Sequence, residues 1–119
     1  MTAGKIAARV KCGAARYDRV KPDWWTGANV TLGTLDMGHP RLDVIGQNRA
    51  HEPGWNGQFD YSVLGLRTIQ QAASEGFYFT VDADGFCDAI SDVVKENALL
   101  TASWKKEILT RRARAPAKR

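Results

Sequence analysis

The sequence predicts a small, mainly α-helical single domain with one short β element. Two stretches near its ends, residues 6–20 and 86–108, carry apolar residues at three- and four-residue spacing, which puts them on one helix face. Between these two stretches, apolar residues are regularly spaced only over short segments, which glycines and prolines separate. At 119 residues, 44% of them hydrophobic, the chain can form one core. No run approaches the roughly 18 apolar residues that span a bilayer, so we expect no membrane partner.

The first helix is predicted to end at or before Lys21, because Pro22 disfavours helical geometry in the residue that precedes it. Thr2 can cap its start. Gly13 lies on the apolar face, where the missing side chain would allow another element to approach closely. The apolar face comprises Ile6, Val10, Gly13, Ala14, Tyr17 and Val20.

The β element is expected from two segments. Polar and apolar residues alternate after Asn29, which predicts a short strand within residues 29–35, and residues 77–81 can supply a second. Between them, residues 51–60 read as an aromatic loop with turn-forming Pro53 and two glycines.

Two short helices are expected in the same region. One covers residues 40–48, with proline tolerated in its first turn and with Leu42 and Ile45 facing inward. The other covers residues 67–74 and ends at Gly76, a residue type that favours the left-handed conformation found after helices.

The second long apolar stripe predicts either one helix or two helices divided near residues 97–101. Asp84 can cap its start, and Trp104 is predicted to be a core residue. The globular domain is therefore expected to cover residues 1–110, and residues 111–119 are expected to form a basic disordered tail. The stripe comprises Phe86, Ile90, Val93, Val94, Asn97, Leu100, Trp104 and Ile108.

Charge is divided unevenly along the chain. Residues 1–21 hold six basic residues and one acid, and residues 105–119 hold seven basic residues and one acid. Residues 22–104 hold four basic and eleven acidic residues. The basic ends can bind a polyanion, or they can pack beside the acidic middle and neutralise it.

Neither a metal nor a cofactor is expected. The sequence has no Cys-x-x-Cys, His-Glu-x-x-His or glycine-rich phosphate-binding motif. An EF-type calcium loop would begin at Thr80 and end at Ser91, but both positions lack the required acid. Cys12 and Cys87 are interpreted as free thiols, small core residues of a cytoplasmic protein.

No catalytic constellation is recognisable, so we expect that the protein is not an enzyme. The sequence lacks a Gly-x-Ser-x-Gly nucleophile elbow and the signature of an activated cysteine. Three acids, Asp36, Asp43 and Asp60, could meet in space, but surface acids are the better interpretation.

Aromatic residues outside the helices suggest a protein-binding site. Trp24 and Trp25 are adjacent and cannot share a face, so one is expected in the core and the other on the surface, where it would be a binding hot spot. Alternatively, both rings are half-buried loop anchors. The candidate partner-binding residues are Trp24, Trp25, Trp55 and Phe59.

The basic tail suggests nucleic-acid binding as an alternative. Its cations could neutralise phosphates, which adds salt-sensitive affinity without sequence information. The competing interpretation is a solubilising tail, because no helix-turn-helix, zinc-finger or RNP motif accompanies it. The candidate residues are Arg111, Arg112, Arg114, Lys118 and Arg119.

A set of short motifs is spread along residues 14–108. The motifs are Trp24-Trp25, Leu35-Asp36-Met37, Val44-Ile45-Gly46-Gln47, Leu64-Gly65-Leu66, Glu75-Gly76-Phe77, and Leu100-Thr101-Ala102-Ser103-Trp104 through Ile108. This set resembles small proteins of actinobacteria and their bacteriophages. The resemblance implies an actinobacterial or phage origin and assigns no active site. The similar proteins carry a cysteine just before the Val-x-Gly-Gln segment, where this chain has Arg41, Leu42 and Asp43, so no cysteine-dependent role is implied.

These observations predict a non-enzymatic accessory protein, encoded by a phage, that binds a host or phage protein in the host cytoplasm. The reason is a competent core and aromatic loops without a catalytic constellation. The alternatives are a nucleic-acid-binding protein that uses its basic termini and a minor structural component of the virion.

Overall fold

A computed structural model of the chain describes residues 3–50, 52–55, 57–81 and 90–115. Two 3-10 helices, Leu32–Thr34 and Ser62–Leu64, lie in the connections between longer elements. The α-helices in the described ranges are α1 (Ala3–Val20), α2 (Val44–Arg49), α3 (Ile69–Ser74) and α4 (Ile90–Arg114). The predicted mainly α-helical class is confirmed. No helix within these ranges is long and apolar enough to cross a membrane.

Helix α1 buries the predicted face as far as Tyr17. Val20, the last predicted member of that face, is 45% exposed, because it lies in the final turn beyond the part of α1 that packs. Cys12 is exposed and not the core residue expected, since it projects from the other side of the helix. Thr2 and Cys87 lie outside the described residues.

Gly13 allows the close approach that the sequence suggests. A Cβ atom there would overlap the Glu75 carbonyl oxygen and lie 2.9 Å from a Phe77 ring carbon. Gly76 makes the reciprocal approach, with a positive φ of 79° and its Cα against the backbone of Val10. The turn after α3 therefore sits directly on the α1 backbone.

We expect Gly13→Ala to lower the free energy of unfolding by about 1–3 kcal/mol, the usual cost of overpacking a well-packed site. The added methyl group meets backbone, which cannot move aside as a flexible side chain can. Denaturant unfolding measures the change. Gly4→Ala is the control, because nothing lies near a Cβ there and alanine favours a helix. Equal stabilities of the two variants would contradict the close packing.

The predicted β element is wrong. Residues 29–35 form a turn and a 3-10 helix, because the Gln47 side chain satisfies the backbone of Thr31: Thr31 N donates to Oε1 at 2.6 Å, and Nε2 donates to the Thr31 carbonyl at 3.2 Å. Residues 77–80 form no strand and Val81 makes only an isolated bridge, while the Thr80 N–H donates to Glu96 Oε1 at 2.7 Å. Side chains thus replace the partners that a strand would have supplied.

Both short helices exist, with later starts than predicted. Asp43 caps α2 by accepting a hydrogen bond from Gly46 N at 2.6 Å, so the helix begins at Val44 and not at Pro40. Helix α3 begins after Thr68, which forms a reciprocal capping box with Gln71. Gly76 follows α3, as predicted.

Helix α4 is continuous from Ile90 to Arg114, so the alternative of two helices does not hold. Leu100, Trp104 and Ile108 are buried, which confirms the central part of the stripe. Val94 is 63% exposed and does not belong to it. Asp84, the predicted cap, and Phe86, the first residue of the stripe, lie outside the described residues. The same is true of most of the possible calcium loop.

Trp104 is the core residue that the stripe predicts. Its ring is completely buried, 5.5 Å from Trp24 in an edge-to-face arrangement and 5.0 Å from Phe77. Its indole Nε1 donates a 2.6 Å hydrogen bond to the Gly76 carbonyl. Trp104 therefore joins α4 to the turn that sits on α1.

The expected tail boundary at residue 111 is wrong, because α4 continues through Arg114. Arg111 and Arg112 make hydrogen bonds to distant parts of the chain and belong to the folded domain. Residues 116–119, with Lys118 and Arg119, lie outside the described residues.

Candidate functional site

The packing of α1 against α4 brings the two basic ends of the sequence together. Arg111 of α4 forms a forked pair with Asp18 of α1, in which Nη2 lies 2.7 Å from Oδ2 and Nε lies 3.1 Å from Oδ1. Its Nη1 also lies 2.6 Å from Glu107 Oε2. Forked arginine–carboxylate pairs are stronger and better oriented than simple ones. Arg111 therefore ties the two basic segments to each other.

The electrostatics of Asp18 reflect this junction. Partial burial disfavours its ionised form, but hydrogen bonds from Arg111 and from Trp24 Nε1, the latter 2.8 Å long, hold the pKa of Asp18 below its ordinary value. The Arg111 guanidinium also lies over the Trp24 ring, 5.3 Å from its centroid. The pair is thus ionised at neutral pH.

Few of the ion pairs between described residues join a basic end to the acidic middle. Arg16–Glu75, with Nε 2.7 Å from Oε1, is such a pair. Arg49 pairs with Glu52 and Asp60, all within the middle. The packing of α1 against α4 places basic side chains of the two ends beside each other.

A groove of about 250 Å³ runs between the two helices. The side chains of three of its cations, Lys11, Lys106 and Arg114, make no ion pair or hydrogen bond with any described residue. Thr110 and Ser103 add hydroxyl groups, although Thr110 Oγ1 donates to the Lys106 carbonyl at 2.9 Å. We call this the basic groove; it is lined by Ala7, Lys11, Ser103, Lys106, Glu107, Thr110, Arg111 and Arg114.

The predicted nucleic-acid residues divide into two groups in the structure. Arg114 is exposed at the groove. Arg111 lines it but is held by two acids, and Arg112 is engaged elsewhere: its Nε donates to the Trp25 carbonyl at 3.0 Å and its Nη2 to the Val30 carbonyl at 2.8 Å. Arg112 therefore has a structural role.

Sequence reasoning missed Lys11 and Lys106 as site residues. Lys11 lies next to the buried face of α1, on the side toward α4, and the spacing of Ser103, Lys106, Thr110 and Arg114 keeps these four on one flank of α4. That spacing was readable from the sequence. The pairing of the two helices was not, because it depends on contacts between the two ends of the chain.

The aromatic partner site does not form as predicted. Trp24 is completely buried, stacked on Tyr17 at 5.3 Å, and cannot contact a partner. Trp25 is half-buried against the core. Trp55 is half-buried beneath the guanidinium groups of Arg41 and Arg49, 5.7 and 5.6 Å from its ring.

Phe59, the fourth aromatic candidate, belongs to a separate cluster. Its ring lies 6.2 Å from Tyr61 and 5.5 Å from Tyr78. No ring contact in the described part of the chain joins Phe59 to Trp25 or Trp55. The four candidates therefore do not make one surface.

A larger cleft, of about 580 Å³, opens beside the second 3-10 helix. Its acid, Asp60, accepts hydrogen bonds from the Ser62 hydroxyl and from Arg49, and these lower the pKa of Asp60 to about 2. A carboxylate held in this way is a poor general base at neutral pH. The cleft is lined by Phe59, Asp60, Tyr61, Ser62, Gly65, Leu66, Arg67 and Thr68.

Asp43 is not the surface acid expected. It is 2% exposed, and burial raises its pKa to about 8, an effect that repulsion from Asp36 increases and the hydrogen bond from Gly46 N opposes. The sequence does not identify Asp43 as the cap of α2, because the predicted start of this helix is residue 40. Within the described ranges no group of three or more histidine, cysteine or acidic residues could hold a metal ion.

The chain matches no protein-family model, and no curated protein or solved structure shows significant similarity to it. The resemblance to small actinobacterial and phage proteins therefore stays a hypothesis.

Proposed function

We propose that the protein binds the phosphate backbone of nucleic acid through the basic groove and the flanks of α1 and α4. The observation that carries the proposal is the packing of the two basic ends against each other, which concentrates their charge. The packing lines one groove with cations from both ends, Lys11 of α1 and Lys106 and Arg114 of α4.

The groove has the chemistry that phosphate binding requires. Lys11, Lys106 and Arg114 are unpaired among the described residues, and each can replace a counterion at a phosphate. Arg111 is held by Asp18 and Glu107, so it shapes the junction and does not need to contact the ligand. Contacts of this kind position a protein on nucleic acid without reading its sequence.

The test is binding of a fluorescent duplex oligonucleotide of arbitrary sequence, followed by anisotropy at low salt. We expect the double variant Lys11→Gln, Arg114→Gln to bind about tenfold more weakly, because two phosphate contacts are lost. The matched control, Lys95→Gln with Arg67→Gln, removes the same charge away from the groove. It should weaken binding by no more than about threefold, the effect of net charge alone. Equal losses in the two variants would contradict the proposal.

We further infer that the protein acts in the cytoplasm of an actinobacterial host and is encoded by a phage. The short motifs named above support this setting. Fractionation of infected cells tests it, with the cytoplasmic fraction as the expected location. Sedimentation with purified phage particles would instead indicate the minor virion component.

A role as an accessory protein with a protein partner is supported by a different surface, the side of α4 that faces away from the core.

A further inference from the structure

Helix α4 presents a second surface, on the side away from the core. Val94 is 63% exposed, Leu109 is 54% exposed and Leu99 is 38% exposed. In a helix of about 3.6 residues per turn, a row at four- and three-residue spacing follows one side. We call this row the outer face; it comprises Val94, Ala98, Ala102, Lys105, Leu109 and Ala113.

The outer face combines apolar side chains with small ones. Ala98, Ala102 and Ala113 are exposed, and their short side chains would let the backbone of a second helix approach closely. Val94 precedes the alanines and Leu109 lies between Ala102 and Ala113, and both can pack into the grooves of such a helix. A helix with two apolar sides normally buries both of them.

The lysines that the structure describes on this side of α4 give it a positive charge. Lys105 belongs to the row, and Lys95 and Lys106 flank it. The acids of α4 whose side chains are described, Glu96 and Glu107, are held on the inner side: Glu96 accepts from the Thr80 hydroxyl at 2.6 Å, and Glu107 binds Arg111. Nothing acidic on the described outer side therefore offsets these three lysines.

We propose that the outer face of α4 docks an acidic amphipathic helix of a partner protein. An apolar stripe on that helix would pack on Leu109, Val94 and the alanines, and its flanking carboxylates would face the lysines. A second copy of this chain would place lysines against lysines, which opposes self-association by this face. Exposed leucine and valine side chains do not bind phosphates, so this surface is distinct from the basic groove.

The experiment uses the full chain and a labelled synthetic helical peptide of about 20 residues with a leucine stripe flanked by glutamates. We expect saturable binding, and about tenfold weaker binding by Leu109→Ser, because the largest apolar side chain of the row is lost. Val63→Ser is the control, since Val63 is 39% exposed but lies outside α4, and it should bind as the parent does. The same peptide with lysines in place of the glutamates should not bind.

A second variant keeps the test informative if Leu109→Ser is poorly folded. The double variant Lys95→Glu, Lys105→Glu reverses two charges on the outer side of α4, outside the basic groove. It should weaken binding of the acidic peptide and leave the free energy of unfolding unchanged. Three outcomes would overturn the proposal: equal binding of both peptides, equal loss in Leu109→Ser and Val63→Ser, or binding to anionic phospholipid vesicles but not to the acidic peptide. Duplex binding by Leu109→Ser should equal that of the parent, so this proposal and the nucleic-acid proposal can fail separately.

Discussion

Trp104→Ala is expected to lower the free energy of unfolding by about 3–5 kcal/mol, a large part of the stability of a small domain. The substitution removes a completely buried indole, its ring contacts with Trp24 and Phe77, and its hydrogen bond to the Gly76 carbonyl. The cavity would lie where α4, α1 and the turn after α3 meet. Urea unfolding followed by circular dichroism measures the change.

Lys105→Ala is the control for this experiment. Lys105 is the next residue of α4, and its side chain makes no ion pair or hydrogen bond within the described part of the chain. Its replacement should change stability by less than about 0.5 kcal/mol, as is usual for surface positions. If Trp104→Ala unfolds at the same urea concentration as Lys105→Ala, the central position of this tryptophan is wrong.

Asp43→Asn is expected to stabilise the protein, increasingly so as the pH rises. Burial raises the pKa of Asp43 from its ordinary 3.8 to about 8, so the folded state holds one more proton than the unfolded state between these two values. Stability is therefore lost as the pH rises through this window, by about 1.4 kcal/mol for each pH unit. Asparagine keeps an acceptor for Gly46 N and cannot ionise.

The measurement is the difference in unfolding free energy between Asp43→Asn and the parent from pH 4 to pH 9. We expect a small difference at pH 4, a steady increase to about pH 8 and a constant value above it. Asp36→Asn is the control: hydrogen bonds from Asn97 and from Gly38 N lower the pKa of Asp36, so that variant should show no such gain. Parallel profiles for Asp43→Asn and the parent would contradict the buried acid.

The long helices were predictable because their apolar faces repeat over many turns. The stripes of α1 and α4 each contain several buried residues in phase, which outweighs local irregularities such as exposed Val20 and Val94. The β element failed for the opposite reason. Four or five residues of alternation carry little information, and Gln47, sixteen residues away from Thr31, satisfied the backbone that a strand would have used.

The candidate site was only partly predictable. The sequence showed that both ends are basic but not that they pack together, because the contact of Arg111 with Asp18 joins residues 93 apart. Trp24 illustrates the same limit. A tryptophan outside the helices is a reasonable surface residue until Tyr17 and Trp104 are known to enclose it.

The most direct test of the central claim, that the two basic ends act as one surface, is the salt dependence of duplex binding. The slope of log K against log salt concentration counts the phosphates that a protein neutralises. Lys11→Gln and Arg114→Gln should each reduce the slope by about 1, and the double variant should reduce it by about 2. A slope that Arg114→Gln reduces but Lys11→Gln leaves unchanged would contradict the account, because the C-terminal end would then bind without α1.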